Sequence, residues 1–240
     1  MLWSKEHQIV YIKTAKTASS TAEIRLEYLL FGSSDDSRDA HIFTDGSIAG
    51  FRGKSFSRGS LNEKLRHHLP AKNIMEIIGS EEFNSASKVS SIRNPYDRAI
   101  SAFHYFSRFS PQSAAELLRE EGKSALATRF QQWLSDGVDG ARYNAKEHFY
   151  VDNTLVIDHF IRAESLDDDI EALCNLKGIP DRQPSFKSLR SVRVNRSRER
   201  IPLKDYFTEV SLSHINQQYE AWFTVGQYEV FDNLAEFPDS

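Results

Sequence analysis

Ile9-Val10-Tyr11-Ile12-Lys13-Thr14-Ala15-Lys16-Thr17-Ala18-Ser19-Ser20-Thr21 opens as an apolar run and ends in two lysines and five hydroxyl side chains. Gln8 to Lys13 is β-rich, and Ser20-Thr21-Ala22-Glu23 reads as a capping box opening a helix through Leu30. A strand therefore hands over to a helix across the polar residues. That junction gathers side-chain donors, backbone N–H groups and the positive end of a helix dipole on one point, which suits phosphate or sulfate. Lys13, Thr14, Ala15, Lys16, Thr17, Ala18, Ser19, Ser20 and Thr21 are the candidate cradle. It contains no glycine, so the common nucleotide loop G-x-x-x-x-G-K-[ST] is absent and another nucleotide chemistry is implied.

Working outward, strand and helix signals alternate. Pro70 and Gly79 bracket a helix, Lys88 to Arg93 is a second strand, and Asn94-Pro95-Tyr96-Asp97 supplies an N-cap, a proline for the first turn and an early acid. Helical patterns follow at 112–122 and 124–136, the second closed by Gly137. Thr154 to Arg162 reads as a third strand, and Ser165 starts a helix ending at Lys177-Gly178. This order predicts an α/β fold with parallel pairing, in which ligands gather beyond the carboxyl ends of the strands. Residues 32–60 lack a period and are expected to form a mobile loop, a candidate substrate lid.

Composition bounds the alternatives. At 240 residues, with 40% hydrophobic content, the chain is expected to be a single domain over 1–240. A net charge of −4 argues against a general nucleic-acid binder, so any anion site is local. The lone cysteine, Cys174, can form no internal disulfide and reads as a small buried side chain in a reducing compartment. No stretch approaches the roughly 18 apolar residues of a membrane span. A soluble, cytoplasmic protein is expected.

Two further segments carry charge in telling places. Residues 181–200 hold Arg182, Lys187, Arg190, Arg193, Arg196, Arg198 and Arg200 against Asp181 and Glu199, the most basic stretch of an acidic chain. Most basic runs are solvated faces, but a ligand with several phosphates needs more cation than one loop supplies. Arg93, at the tip of the second strand, and Ser101, on the following helix, can grip a phosphate from two sides.

Together these segments resemble the carbohydrate-type (heparan and chondroitin) sulfotransferases, in a soluble, bacterial-type form. Lys16-Thr17-Ala18-Ser19-Ser20-Thr21 is similar to their 5′-phosphosulfate loop, P-K-T-A-S-T-S. Arg93-Asn94-Pro95-Tyr96-Asp97-Arg98, continuing to Ser101, resembles their 3′-phosphate motif, R-[ND]-P-[YF]-x-R-x-x-S. Asp158 to Leu166 resembles their D-x-x-x-R-x-E-x-L segment, and a weaker match runs from Asn195-Arg196-Ser197 to the tail. Ala15 stands where the family has proline, and Lys13 is an extra cation.

The resemblance implies a three-layer α/β/α sulfotransferase fold, related to the P-loop kinases, with a central parallel sheet. It also implies transfer of a sulfuryl group from 3′-phosphoadenosine 5′-phosphosulfate to an acceptor hydroxyl, without a metal, leaving 3′-phosphoadenosine 5′-phosphate. Lys16 would stabilise charge on the leaving oxygen. The cradle would hold the 5′-phosphate; Arg93 and Ser101 would hold the 3′-phosphate, with Arg196 adding to that grip. A general base typically contributes about 10² to 10⁴ in rate, and His67 and His68 are the candidates. His68 is preferred because His68-Leu69-Pro70-Ala71 resembles the H-x-[SP]-A segment of bacterial relatives; His41 and Glu63 are fallbacks. The expected acceptor is a saccharide, glycolipid or small metabolite. Phe103, Tyr105, Phe106, Phe109 and Trp133 read mainly as core, with an acceptor platform as the lesser reading. The alternatives are a P-loop-like phosphotransferase and a non-catalytic module binding nucleotide or sulfated glycan.

Overall fold

A computed structural model describes residues 1–32, 39–53, 56–137, 145–180 and 201–237. Of the expected loop at 32–60, positions 33–38 and 54–55 lie outside the described residues, as do the basic segment 181–200 and Arg196 within it. The described residues fall into two compact units, one within Met1–Ile92 and Lys146–Val194, the other within Arg93–Ala145 and Asn195–Ser240.

The first unit is built on a six-stranded sheet. Its strands are β1 (Leu2–Ser4), β2 (Ile9–Ile12), β3 (His41–Ile42), β4 (Ile48–Ala49), β5 (Ser87–Ile92) and β8 (His159–Arg162), in the order β3-β4-β1-β2-β5-β8. The half that carries the cradle is parallel, as expected: β2 pairs with β5 through Ile9↔Ser87, and β5 pairs with β8 through Val89↔His159. The other half is antiparallel, with β1 against both β2 and β4, and β4 against β3. Connection length explains this, because the few residues between β1 and β2 suffice for a hairpin but not for a parallel crossover. Gln8 enters β2 from the left-handed region that such a turn needs (φ 50).

All four residues of β2 and the last four of β5 are buried, so both faces of the sheet centre are covered, as a three-layer fold requires. On one face Leu2, Ile9, Tyr11, Val89 and Ile161 meet Ala22, Leu26, Leu29 and Leu30 of α1 (Ser19–Phe31). Those four helical positions fall at i, i+4, i+7 and i+8, one apolar stripe. Ile170, Leu173 and Cys174 of α8 (Leu166–Lys177) close the cluster, and Cys174 is the small buried side chain expected of it. Each fully buried Leu or Ile contributes about 1.5–3 kcal/mol.

Three sequence expectations are revised. α1 starts at Ser19 rather than after a Ser20 cap; its N-cap is Ala18, whose methyl cannot cap, and the Glu23 carboxylate of the expected box is drawn to Lys13 instead. The run Thr154 to Arg162 is not one strand. Thr154–Leu155 (β7) pairs with β6 (Tyr150–Val151) in a separate hairpin, and only β8 joins the main sheet. Asp158 separates them by clamping β5, its N–H donating to Lys88 O (2.8 Å) and its Oδ2 accepting from Lys88 N (2.7 Å). Within the expected loop, β3 and β4 form a hairpin whose turn brings Phe43 N to Ser47 O (2.8 Å).

Between β4 and β5 lie α2 (Leu61–Lys64), α3 (Ala71–Ile78), which starts directly after Pro70 and ends at Gly79, and α4 (Ser80–Ser85). The second unit is helical where described. It holds α5 (Pro95–Ser107) and α6 (Ala114–Ser135), then a 3-10 turn at Leu203–Tyr206 and helices at Glu209–Gln218 and Glu220–Gly226. The two helical patterns expected at 112–122 and 124–136 are the two segments of α6, which meet at Gly122, where φ 86 and ψ −175 leave the helical region in a conformation that favours glycine. Tyr96 centres an aromatic cluster with Phe207, Phe223, Phe231 and Phe237 at 5.1–5.6 Å. Its hydroxyl accepts from Phe231 N and donates to Asn216 Oδ1. Among the described residues no helix is long and apolar enough to cross a membrane.

Candidate anion-binding and catalytic site

The cradle begins where β2 ends. Lys13 leaves the strand buried, and its ammonium donates to Glu23 Oε2 at 2.6 Å, with the Met1 amino group 3.2 Å from Oε1 of the same carboxylate. Burial, the largest single influence, would raise the Glu23 carboxyl; the Lys13 ammonium, the Met1 amino group and Arg52 together outweigh it and bring the group below the usual carboxylate range. The Lys13 side chain is thereby committed to the interior. Lys16 stays half-buried on the loop surface.

The loop backbone is shaped by two non-glycine residues in the left-handed region, Lys16 (φ 64) and Ala18 (φ 57). Each costs about 1–2 kcal/mol relative to the right-handed region. Left-handed residues at 16 and 18, with Thr17 between them outside the positive-φ region, alternate as in the backbone of anion-binding nests. Ala18 O then accepts from Thr21 N (2.9 Å) and Ala22 N (3.1 Å), launching α1 from the same point. The glycine-free loop thus reaches left-handed backbone directly at the N-terminus of α1.

A buried hydroxyl network holds this strained loop. Thr14 Oγ1 donates to the Ser91 carbonyl of β5 at 2.5 Å, and Thr17 Oγ1 lies 2.9 Å from Thr14 Oγ1. Tyr11 OH donates to Ser19 O (3.1 Å) and pairs with Ser91 Oγ, while Ser90 Oγ donates to Ile12 O (2.7 Å). Burial pushes the Tyr11 phenol up, so it remains a protonated donor. Thr14, Thr17, Ser19 and Thr21 are buried in this packing, whereas Lys16, Ala18 and Ser20 retain exposed surface and Ala15 is buried.

His68 meets this loop. Its Nδ1 lies 3.3 Å from Lys13 O. A carbonyl only accepts, so Nδ1 carries the proton and Nε2 is left with the lone pair. Burial, then the charges of Lys13 and the two neighbouring histidines, hold the His68 imidazole well below its ordinary value. It is neutral at physiological pH. The backbone of His68 is itself left-handed (φ 59), and His148 Nε2 lies 3.3 Å from its carbonyl oxygen. His67 is turned aside, stacked on Phe51 at 6.2 Å and edge-on to His68 at 5.1 Å. The fallback bases are engaged elsewhere: His41 packs on Phe43, and the Glu63 carboxylate accepts from Gly59 N.

In the second unit, Arg93 is half-buried and pairs with Asp97 at 3.6 Å, one turn along α5. Asn94 caps the helix by accepting from Tyr96 N (3.0 Å), with Pro95 in the first turn. Ser101 is half-buried two turns in. Arg98 is fully buried, its guanidinium over Tyr219 (5.0 Å) and Trp222 (4.7 Å), so it is a core cation rather than a surface one. Phe103 is core, as expected, but Tyr105 and Phe109 are exposed.

Three participants escaped the sequence reading. Ser91 had a signal: serines in a strand read as buried must find partners. Glu23 was read as a cap, although a loop with two lysines needs a buried acid if one lysine is to go inside. His148 lies in the short helix α7 (Ala145–Phe149), and no pattern pointed to it. Among the described residues no three His, Cys, Asp or Glu side chains group as metal ligands.

Comparison with known proteins gives one family: the model described as "Sulfotransferase family" matches residues 1–231. No curated protein and no solved structure matches significantly.

Proposed function

The chain belongs to the sulfotransferase family, and from that premise we propose that it transfers a sulfuryl group from 3′-phosphoadenosine 5′-phosphosulfate to an acceptor hydroxyl. The observation that carries this reading is the contact of His68 with Lys13 O at 3.3 Å, which sets a neutral imidazole beside a nest-forming, lysine-bearing loop. The acceptor oxygen attacks sulfur in line, and its proton passes to His68 Nε2. As the bond from sulfur to the bridging oxygen breaks, negative charge grows on the departing 3′-phosphoadenosine 5′-phosphate, and the Lys16 ammonium stabilises it.

Backbone amides at 16–18 and the Ser20 hydroxyl bind the 5′-phosphate, with Thr14, Thr17, Ser19 and Thr21 supporting the loop from inside. On the strength of their motif, Arg93 and Ser101 take the 3′-phosphate. Arg196 and the basic segment 181–200 are proposed to add cation to that grip. The acceptor proposed is a saccharide, glycolipid or small metabolite, modified inside the cytoplasm.

Incubation with 35S-labelled donor and a panel of saccharide, glycolipid and phenolic acceptors tests the reading. Labelled ester and 3′-phosphoadenosine 5′-phosphate should appear together with wild type and fall by at least about 10²-fold with His68→Ala. Transfer of phosphate from labelled ATP instead would assign the chain to phosphotransfer, and turnover of neither donor would leave a binding module.

A further inference from the structure

His148 is the one histidine of the His67–His68–His148 group that no sequence motif brought forward, and the geometry points to it as a positioning residue for His68. This inference rests on the reading of His68 as the base and adds a part to it. His148 is 6% exposed, so its imidazole is fixed by packing. Its Nε2 lies 3.3 Å from the His68 carbonyl oxygen. The carbonyl must accept, so His148 donates from Nε2–H.

That bond falls on a residue whose backbone needs holding. His68 has φ 59, a conformation that β-carbon-bearing residues leave unless their surroundings over-determine it. Relaxing His68 into the ordinary region would reorient its carbonyl and its side chain together. The contact of Nδ1 with Lys13 O, which fixes the tautomer, would then be lost. Two bonds of opposite sense thus pin one residue: His68 accepts at its backbone from His148 and donates at its ring to Lys13. On the far side, Lys13 is anchored by Glu23 at 2.6 Å. The sequence Glu23–Lys13–His68–His148 is a continuous chain of buried or half-buried groups that holds the His68 ring, which presents Nε2, between Lys13 and His148. His148 touches neither donor nor acceptor in this scheme and acts through His68.

Three variants and a double-mutant cycle separate this role from packing and from the base assignment. His148→Gln places an amide N–H near the Nε2 position and should retain turnover within about threefold. His148→Leu, which fills the space without a donor, should lower kcat by at least about tenfold with the KM for the sulfate donor unchanged. In the His68→Ala background, His148→Leu should cost nothing further, because the group it positions is gone. Nitrogen-15 spectra of the His68 ring should show the Nδ1–H tautomer in wild type and His148→Gln, and a mixture in His148→Leu.

Full turnover by a folded His148→Leu enzyme overturns the positioning role. Additive losses in the double variant, or loss of turnover in His148→Gln equal to that in His148→Leu, also overturn it. Should His148→Leu fail to fold, His148→Gln and the tautomer measurement on wild type decide the matter, and a wild-type ring protonated on Nε2 refutes it. Full activity of His68→Ala would instead remove the base assignment on which the inference rests.

Discussion

At the residue scale the two lysines of the cradle separate by environment. Lys13 Nζ sits 2.6 Å from a fully buried Glu23, whereas Lys16 stands on the loop surface in a left-handed conformation. Removing one partner of a buried ion pair leaves an uncompensated charge and costs about 3–5 kcal/mol. Glu23→Ala is therefore expected to lower unfolding free energy by that amount in urea titrations. Lys16→Ala should change stability little while depressing turnover by at least about 10²-fold, as expected for loss of a group that stabilises transition-state charge. A Lys16→Ala enzyme with normal turnover would move the charge-stabilising role elsewhere. The sequence reading preferred Lys16 from motif alignment, but the reason for Lys13 was hidden, since an interior partner ten residues away carries no local signature.

At the element scale the strand-loop-helix unit was legible because its signals are local: apolar β2, the polar break and the apolar stripe of α1. Its helix start was not, since Ser20 to Glu23 satisfies the capping pattern while a tertiary ion pair claims Glu23. The real cap, Ala18, is left-handed at φ 57 and ψ 14. Glycine pays no steric penalty there but loses more chain entropy, so Ala18→Gly should stabilise by about 0.5–1 kcal/mol, read as a higher urea midpoint. A lower midpoint would mean that the alanine methyl makes packing contacts outweighing the strain. At the head of α5, Asn94 accepts from Tyr96 N, and Asn94→Ala should cost about 1 kcal/mol. The strand read at 154–162 divided because β-branched, apolar composition does not reveal that Asp158 is recruited by the backbone of β5.

At the scale of the whole molecule, the fold class followed from the alternation of elements, while the antiparallel half of the sheet did not. Strands of two or three residues fall below any periodic signal, and their pairing is set by hairpin geometry. The two units likewise have no boundary in composition. The half-buried His67 and His68 tie global stability to pH. His68 lies well below 6.5 when folded, through burial first and then the charges of Lys13, His67 and His148, and His67 is lowered in the same sense. Between those lowered values and 6.5 the unfolded chain binds more protons than the folded one, so stability rises with pH across that window. The stabilisation is complete above about pH 6.5 and is lost on acidification. Thermal unfolding between about pH 7.5 and 5.5 should show a declining midpoint, and His68→Gln should flatten that decline. An unchanged slope in His68→Gln would mean that His68 is not held neutral by the fold.

The central claim is that the nest at 16–18 and its partners bind the sulfate-donor nucleotide. Thermal unfolding with 3′-phosphoadenosine 5′-phosphate tests it most directly. At about 100 times the dissociation constant the nucleotide should stabilise wild type by roughly 2.7 kcal/mol. Lys16→Ala and Arg93→Ala should reduce that shift at fixed nucleotide concentration, and ATP should give a smaller one. A shift with ATP but none with 3′-phosphoadenosine 5′-phosphate, or a full shift in both variants, would contradict the account.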